Sequence, residues 1–89
     1  MQILTSKLYE TQLQKILQTI AQESPDYAKD FKVYLDAIIL NIPTKDKKYK
    51  KSLYFDDENI KDVPFQGCTI IFYVDKSNMS YIILGITSK

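Results

Sequence analysis

The sequence contains no histidine and no arginine, and its twelve basic residues are all lysines. Without an imidazole, no side chain changes its charge near neutral pH unless its pKa is strongly shifted, so Ser-His-Asp triads and most zinc sites are excluded. Without a guanidinium, the chain has no planar fork that holds a phosphate or carboxylate through two hydrogen bonds. The two absences remove the commonest enzyme classes and favour a function that rests on binding.

The sequence is also poor in cysteine and has no long apolar run. Its single cysteine, Cys68, cannot form an internal disulfide, and its aliphatic neighbours indicate a buried structural thiol rather than a nucleophile. Apolar runs such as 70–74 are far shorter than the roughly 20 residues that cross a bilayer, and the chain opens without a secretory signal pattern. We therefore expect a cytoplasmic protein that does not interact with a membrane.

The length of 89 residues is enough for one small domain with one hydrophobic core, which we place at residues 1–89. Twelve lysines against eleven acidic residues leave a net charge of +1, so any electrostatic function must be local. The acidic run 56–58 is expected to be a solvated turn, because consecutive side chains point in different directions and no EF-hand spacing follows. We expect neither a metal ion nor a cofactor.

Two helices are predicted in the first half of the chain. Apolar residues at spacings of three and four predict a helix over about residues 6–23, with Thr5 or Ser6 as its N-cap. The segment Ser24-Pro25-Asp26 has the pattern of a second helix start, and Pro43 marks where that helix must have ended. The short connection predicts an antiparallel hairpin. The predicted apolar stripe of the second helix comprises Tyr27, Phe31, Tyr34, Leu35, Ile38 and Ile42.

The second half has the β-branched and aromatic composition of strands. The segment 44–51 is expected to be a loop, and 56–59 a turn. Strands are predicted at 53–55, 60–66, 68–74 and 79–86, and residues 1–4 either add a strand or fray. Pro64 places its strand at an edge or bulge of the sheet. The predicted fold class is α+β, with the order β-α-α-β-β-β(-β) and a helical hairpin packed on a small antiparallel sheet.

The segment 67–75, Gly-Cys-Thr-Ile-Ile-Phe-Tyr-Val-Asp, is followed after a turn by 81–86, Tyr-Ile-Ile-Leu-Gly-Ile. Together with the order of elements, this pair resembles the penultimate and last strands of the RelE/ParE toxin superfamily of bacterial toxin–antitoxin systems. The resemblance covers nearly the whole chain. In that family an arginine normally follows soon after the glycine, and here Cys68 and Thr69 stand at those positions.

The resemblance implies a toxin with a cognate antitoxin, and it leaves more than one activity open. One branch of the family cuts mRNA on the ribosome, which requires a base, an acid and cations that hold the phosphate. Most of those groups are missing here, so the other branch, which poisons DNA gyrase by protein contact, fits slightly better. A third alternative is an inactive toxin remnant that serves as a partner-binding domain.

The candidate residues for binding an anionic partner lie between positions 45 and 54. Five lysines within seven residues, offset only by Asp46, form a local positive patch that suits RNA or an acidic antitoxin segment. Two nearby tyrosines offer stacking faces for unpaired bases. The alternative is a solvated loop that blunts a sheet edge. The set comprises Lys45, Lys47, Lys48, Tyr49, Lys50, Lys51 and Tyr54.

If the protein is a ribonuclease, the resemblance places the candidate catalytic residues at Lys61, Tyr73 and Lys89. Tyr73 alternates with Phe72, so it lies on the functional face if Phe72 is in the core. Lys61 can then face the same surface, and Lys89 can reach its rim; the alternative for both is an ordinary surface lysine. An antitoxin is expected to bind as a helix in a groove or as a strand added near Pro64.

Overall fold

The computed structural model describes residues 2–88, which form a helical hairpin packed on one face of a five-stranded sheet. The strand order is β1-β5-β4-β3-β2, and β1 pairs with β5 in parallel, while the other neighbours are antiparallel. The predicted α+β order is confirmed, and β1 makes the sheet mixed; residue 1 of the predicted first strand lies outside the described residues. The elements are β1 (Gln2–Thr5), α1 (Lys7–Glu23), α2 (Pro25–Leu40), α3 (Ile42–Lys45), a 3₁₀ turn (Asp46–Lys48), β2 (Lys50–Lys51), β3 (Ile60–Phe65), β4 (Cys68–Asp75) and β5 (Ser80–Ser88).

The two long helices begin where the sequence predicts. The Ser6 hydroxyl accepts a hydrogen bond from the backbone N–H of Tyr9 at 3.0 Å and caps α1. Ser24 separates the two helices: its own N–H donates to the carbonyl of Ile20, and its hydroxyl accepts from the N–H of Tyr27 at 3.2 Å. One residue thus ends α1 and caps α2, and this short connection makes the hairpin tight.

The hydrophobic core lies between the helices and the sheet. On α2 the buried residues are Phe31, Leu35 and Ile39, which repeat every four positions. Tyr34, which the predicted stripe included, is 57% exposed, because the buried line follows the i, i+4 spacing rather than i+3. Phe31 packs edge-on against Phe65 of β3 with ring centroids 5.1 Å apart. The fully buried side chains join both layers and include Phe31, Leu35, Ile42, Ile70, Phe72 and Ile83.

The segment 44–51, predicted as a loop, is largely ordered into short elements. Pro43 lies in the first turn of α3, where its missing N–H has no helical acceptor to lose. The chain then forms the 3₁₀ turn and pairs Lys50 and Lys51 with Asp62 and Lys61 of β3. The strand that pairs with β3 is therefore formed by Lys50 and Lys51, and not by the residues that follow them.

The prediction of a strand at 53–55 is wrong. The backbone N–H of Leu53 donates to Oδ2 of Asp62 at 3.0 Å, and the N–H of Tyr54 donates to the Ser52 hydroxyl at 3.0 Å. Because side-chain oxygens take these donors, the segment leaves the β ladder and forms an irregular loop. Its apolar side chains, expected to alternate in a strand, all remain substantially exposed.

The start of α1 is tied to an irregularity in β5. Ile71 of β4 faces Gly85 while Phe72 faces Ile83, so Leu84 is an extra residue in β5. The Ser6 hydroxyl donates to the carbonyl of Leu84 at 2.7 Å, which holds the bulge against the N-terminus of α1. Beyond its pairing with β1, β5 is contacted by α1, and the sheet ends at β1 on one side and at β3 and the short β2 on the other.

Candidate functional site

The sheet ends in an incomplete edge strand. In β3, only Asp62 and Lys61 are paired with residues of β2. One further backbone hydrogen bond joins the N–H of Ser52 to the carbonyl of Ile60 at 2.7 Å. Since the Ile60 carbonyl points toward β2, the backbone groups of Asp62 and Pro64 point to the same side. Pro64 lies beyond the end of β2 and has no N–H, as expected for an edge position.

A cleft of about 760 Å³ lies where β2 stops, alongside the exposed end of β3. Lysines from α3, the 3₁₀ turn and β2 surround it, together with apolar groups and a single carboxylate. The structure thus brings four of the five predicted lysines to one cavity; Lys47 is exposed on the same turn but does not line it. The lining residues are Lys45, Lys48, Tyr49, Lys50, Lys51, Leu53, Asp62 and Pro64.

The charges of the cleft are largely uncompensated. Lys51 donates to Asp56 at 2.8 Å, a contact that raises the pKa of Lys51 and lowers the pKa of Asp56. Both side chains are solvent-exposed, so this pair contributes little to stability. Within residues 2–88, Lys45, Lys48 and Lys50 form no ion pair. The cleft therefore keeps a net positive charge that an anionic group can approach.

Asp62 is a functional candidate that was not among the residues predicted from the sequence. Its Oδ2 accepts the hydrogen bond from Leu53 that shapes the loop, whereas its Oδ1 is buried and has no hydrogen-bond partner among the described residues. A buried carboxylate oxygen that receives no hydrogen bond from the protein is unfavourable, because the free energy of its desolvation is not recovered. The signal available in the sequence was an acidic residue inside a predicted strand.

The two tyrosines of the predicted binding set have different environments. Tyr49 lines the cleft but is half-buried, and its ring packs edge-on against Phe72 with centroids 6.0 Å apart. Its ring is therefore partly engaged by the core. Tyr54 lies outside the cleft and lines, with Phe55, a second cavity of about 490 Å³ that reaches Ile71 and Leu84. The lysines and the tyrosines thus do not form one base-stacking surface.

Lys61 does not share a surface with Tyr73, contrary to the sequence expectation. Directly opposed residues lie on the same face of an antiparallel pair, and Lys61 is opposed to Phe72, which is fully buried under the helices. The Lys61 ammonium donates to the carbonyl of Asp46 at 2.6 Å. The Asp46 carboxylate in turn accepts a hydrogen bond from the hydroxyl of Tyr81 at 3.0 Å. Burial raises the pKa of Tyr81, and this hydrogen bond raises it further. Lys61 therefore has a structural role.

Tyr73 lies on the face that the helices leave free. Its opposed residues are Ile60 on β3 and Ile82 on β5, so it is flanked by aliphatic side chains. By register, Lys50 is the one lysine of β2 and β3 on the same face. Lys89, the third candidate for catalysis, lies outside the described residues. Tyr73 and its surroundings thus form a contact surface more readily than a centre for acid–base chemistry.

The loop that follows β2 adds apolar groups to this surface. Leu53 is 95% exposed and projects beside the cleft, although its backbone is held by Asp62. Phe55 and Tyr54 line the second cavity on the other side of the loop. Exposed apolar side chains on a hydrogen-bonded loop are typical of protein-binding sites. Leu53 and Phe55 were not among the predicted site residues, because the sequence predicts a strand at 53–55.

The remaining reactive groups lie away from the cleft. Cys68 is buried against the core, and burial raises the pKa of its thiol, as expected for a structural cysteine. Within residues 2–88 there is no cluster of three or more metal-ligating side chains. Over the same residues, no helix combines the length and the apolar composition needed to cross a bilayer.

No protein-family model matches the chain, and a sequence comparison with curated proteins gave no match either. Among solved structures, the chain is similar to one chain in the crystal structure of the toxin–antitoxin complex RelBE2 from Mycobacterium tuberculosis. The TM-score is 0.60 at 10% sequence identity, and the match covers 99% of this chain and 96% of the other. The protein therefore has the fold found in that toxin–antitoxin complex, and the RelE-like architecture expected from the sequence is confirmed.

Proposed function

We propose that this protein is the toxin component of a type II toxin–antitoxin module, which inhibits growth when free and is neutralised by a cognate antitoxin protein. The observation that carries the proposal is the fold match to a chain of a toxin–antitoxin complex, which extends over nearly the full length of both chains. The basic cleft and the exposed apolar loop support it further, because both are surfaces that a free chain leaves unpartnered.

For the cellular target, we favour inhibition by protein contact, as with DNA gyrase, over cleavage of mRNA on the ribosome. Cleavage through a ribose hydroxyl requires a base, an acid and cations around the scissile phosphate. Lys61 is turned toward the helices, and the nearest strand neighbours of Tyr73 are isoleucines. A contact surface needs none of these catalytic groups.

The primary test is expression of the full chain from a tightly repressed promoter in a bacterial host. Induction should arrest growth, and co-expression of an antitoxin encoded by an adjacent reading frame should relieve the arrest. A variant such as Leu35→Asp, which places a charge at a fully buried position, provides the unfolded control. A soluble, folded protein that leaves growth unaffected would contradict the toxin role and favour an inactive remnant.

The target is tested separately with purified protein. Supercoiling by DNA gyrase should fall as the protein is added, while ribosomes translating a defined message in its presence should yield no site-specific cuts. Codon-dependent cleavage of the message would reverse the order of the two targets and identify a ribonuclease.

A further inference from the structure

We propose that the protein forms a homodimer in which α2 of one copy packs against α2 of a second copy, in antiparallel orientation and through the outward face of the helix. Such an assembly goes beyond the proposed function and does not depend on it. Three features of α2 support it: an exposed apolar stripe, a small residue at the centre of that stripe, and opposite charges toward its two ends.

The outward face of α2 carries an apolar stripe that the rest of the protein leaves uncovered. Val33 and Leu40 are 60% and 72% exposed, and Ala37 between them is exposed as well. Spacings of four and three residues place these side chains on one face of the helix, opposite the buried line that includes Leu35. The same spacing is typical of the contact line between two paired helices. Because a surface helix normally directs polar residues outward, this stripe indicates a contact with another helix.

The stripe faces away from the sheet. Phe31 of α2 packs against Phe65 of β3, so the opposite side of the helix points to solvent. Tyr73 lies on the face of the sheet that the helices leave free. A dimer that forms through α2 therefore leaves the Tyr73 face of both copies accessible to another macromolecule.

The centre of the stripe suits a two-fold axis. Ala37 is the smallest side chain of the stripe, and the larger Val33 and Leu40 lie on either side of it. If the axis passes near Ala37, the two alanines face each other, and the helices can approach closely while the larger side chains pack around that contact. A two-fold dimer uses the same surface on both copies, so it requires a self-complementary patch of this kind.

The charges along α2 favour the antiparallel orientation. Asp26 and Asp30 continue the stripe toward the N-terminus at the same spacing, and residues 26–30 contain two aspartates and one lysine. Beyond the C-terminal end of α2, residues 45–48 contain three lysines and one aspartate. In an antiparallel pair the acidic end of each helix lies toward the basic segment of the other copy, and the helix dipoles are also opposed. A parallel pair would bring like charges together.

The contact is small, so we expect a weak dimer. The 16 residues of α2 span about 24 Å, and the apolar stripe occupies the C-terminal half of that length. A stable interface buries about 800 Å² on each partner, which is more than one helix face supplies. We therefore expect a dissociation constant of about 10–100 μM.

Sedimentation equilibrium of the full chain, from about 1 to 300 μM, tests the association. The apparent mass should rise with concentration from that of a monomer toward that of a dimer. Ala37→Glu places a charge at the centre of the stripe and should weaken association by about tenfold or more. The matched control Leu8→Glu, at a leucine of α1 that is 60% exposed, should change it by less than about twofold. A native chain that stays monomeric, or equal losses in the two variants, would overturn the proposal.

Disulfide cross-linking tests the orientation. Ala37→Cys should form a cross-linked dimer on oxidation, because the two copies of this residue meet at the axis. Asp30→Cys lies on the same stripe seven residues earlier, so its two copies are about 21 Å apart in the antiparallel pair, beyond the roughly 7 Å that a disulfide spans. The native Cys68 is buried in both variants. Equal cross-linking of the two variants, or none in either, would overturn the antiparallel arrangement.

The contribution of charge is tested with a pair of double variants. Asp26→Asn/Asp30→Asn should weaken association several-fold, whereas Glu23→Gln/Glu58→Gln removes the same charge at exposed positions off the stripe and should not. Circular dichroism confirms that each variant is folded. Equal effects of the two double variants would overturn the assigned charge complementarity. Because association is measured on the protein alone, its outcome does not depend on whether the chain arrests growth.

Discussion

Lys61 donates a hydrogen bond from its ammonium to the main-chain carbonyl of Asp46 at 2.6 Å. Because the Asp46 carboxylate accepts from Tyr81 of β5, this pair links β3, the 3₁₀ turn and β5 on the side of the sheet that faces the helices. The link fixes the turn that carries Lys47 and Lys48. A residue that the family resemblance placed in a catalytic centre thus holds the lysine-bearing segment in position.

The first prediction concerns this link. Lys61→Met keeps most of the side-chain stem but removes the donor, so the free energy of unfolding should fall by about 1.5–3 kcal/mol, the range for a hydrogen bond with one charged partner. Urea denaturation followed by circular dichroism measures the change. Lys76→Met, at an exposed position in the β4–β5 turn, should leave stability within about 0.5 kcal/mol. Growth arrest should persist in both variants, and its loss in a folded Lys61→Met protein would indicate catalysis.

A second prediction concerns the packing of α1 on β5. A Cβ added at Gly85 would lie 2.7 Å from Oε1 of Gln12, the atom that accepts the hydrogen bond from the N–H of Ile86 at 2.9 Å. Gly85→Ala should therefore displace Gln12 and break that bond. Since the displaced group is the end of a flexible side chain, we expect a cost of about 1 kcal/mol, the value of one hydrogen bond, rather than that of a backbone clash.

A double-mutant cycle checks this explanation. Gln12→Ala removes the same hydrogen bond and should also cost about 1 kcal/mol, so the double variant should be clearly more stable than the sum of the two losses implies. Additive losses in urea denaturation would show that Gly85 and Gln12 act independently and would contradict the proposed displacement.

The fold was predictable where the signals are local in sequence. Ser24, Pro25 and Asp26 lie side by side, and the cap, the fixed φ angle and the acid together define a helix start. The loop at 53–55 was not predictable, because Leu53 is diverted by Asp62, which comes nine residues later in the chain. A short apolar run predicts a strand only when its N–H groups are free to join a ladder.

The site was predictable in composition but not in orientation. The lysine run indicated a basic surface, and four of its members do share a cleft. For Lys61, alternation within its own strand determines the orientation: Val63 is buried in the core, and a residue two positions earlier points to the same side. The burial of Oδ1 of Asp62 could not be read from the sequence, because it depends on how the folded chain packs around one oxygen of the carboxylate.

A third prediction concerns alkaline pH. Burial, with smaller contributions from Asp36 and Glu10, raises the pKa of Tyr9 from 10.0 to about 12. The folded protein therefore holds this phenol proton at pH values where the unfolded chain has released it. The stability that follows is fully present below pH 10 and is lost as the pH rises toward about 12, with a total of about 2–3 kcal/mol.

Tyr9→Phe provides the control, because it keeps the ring in the core and removes the titrating group. The difference in unfolding free energy between the native protein and this variant should be constant below pH 10 and should shift against the native protein above it. Subtracting the two unfolding free energies cancels the effect of lysine titration, because both proteins contain the same lysines. A constant difference up to about pH 12 would contradict the raised pKa.

The last prediction separates contact from catalysis at Tyr73. This residue is half-buried on the face without helices, in a row across the sheet that consists of Ile60, Tyr73 and Ile82. Its ring supplies contact area, and its hydroxyl is the polar group among these three side chains. If the protein inhibits by contact, Tyr73→Phe should retain growth arrest, whereas Ile82→Glu, which places a charge in the same row, should abolish it. If the hydroxyl takes part in cleavage, the outcome should be the reverse. Growth of induced cultures, measured beside the soluble yield and thermal stability of each variant, distinguishes the two, and loss of arrest in a folded Tyr73→Phe protein would contradict inhibition by contact.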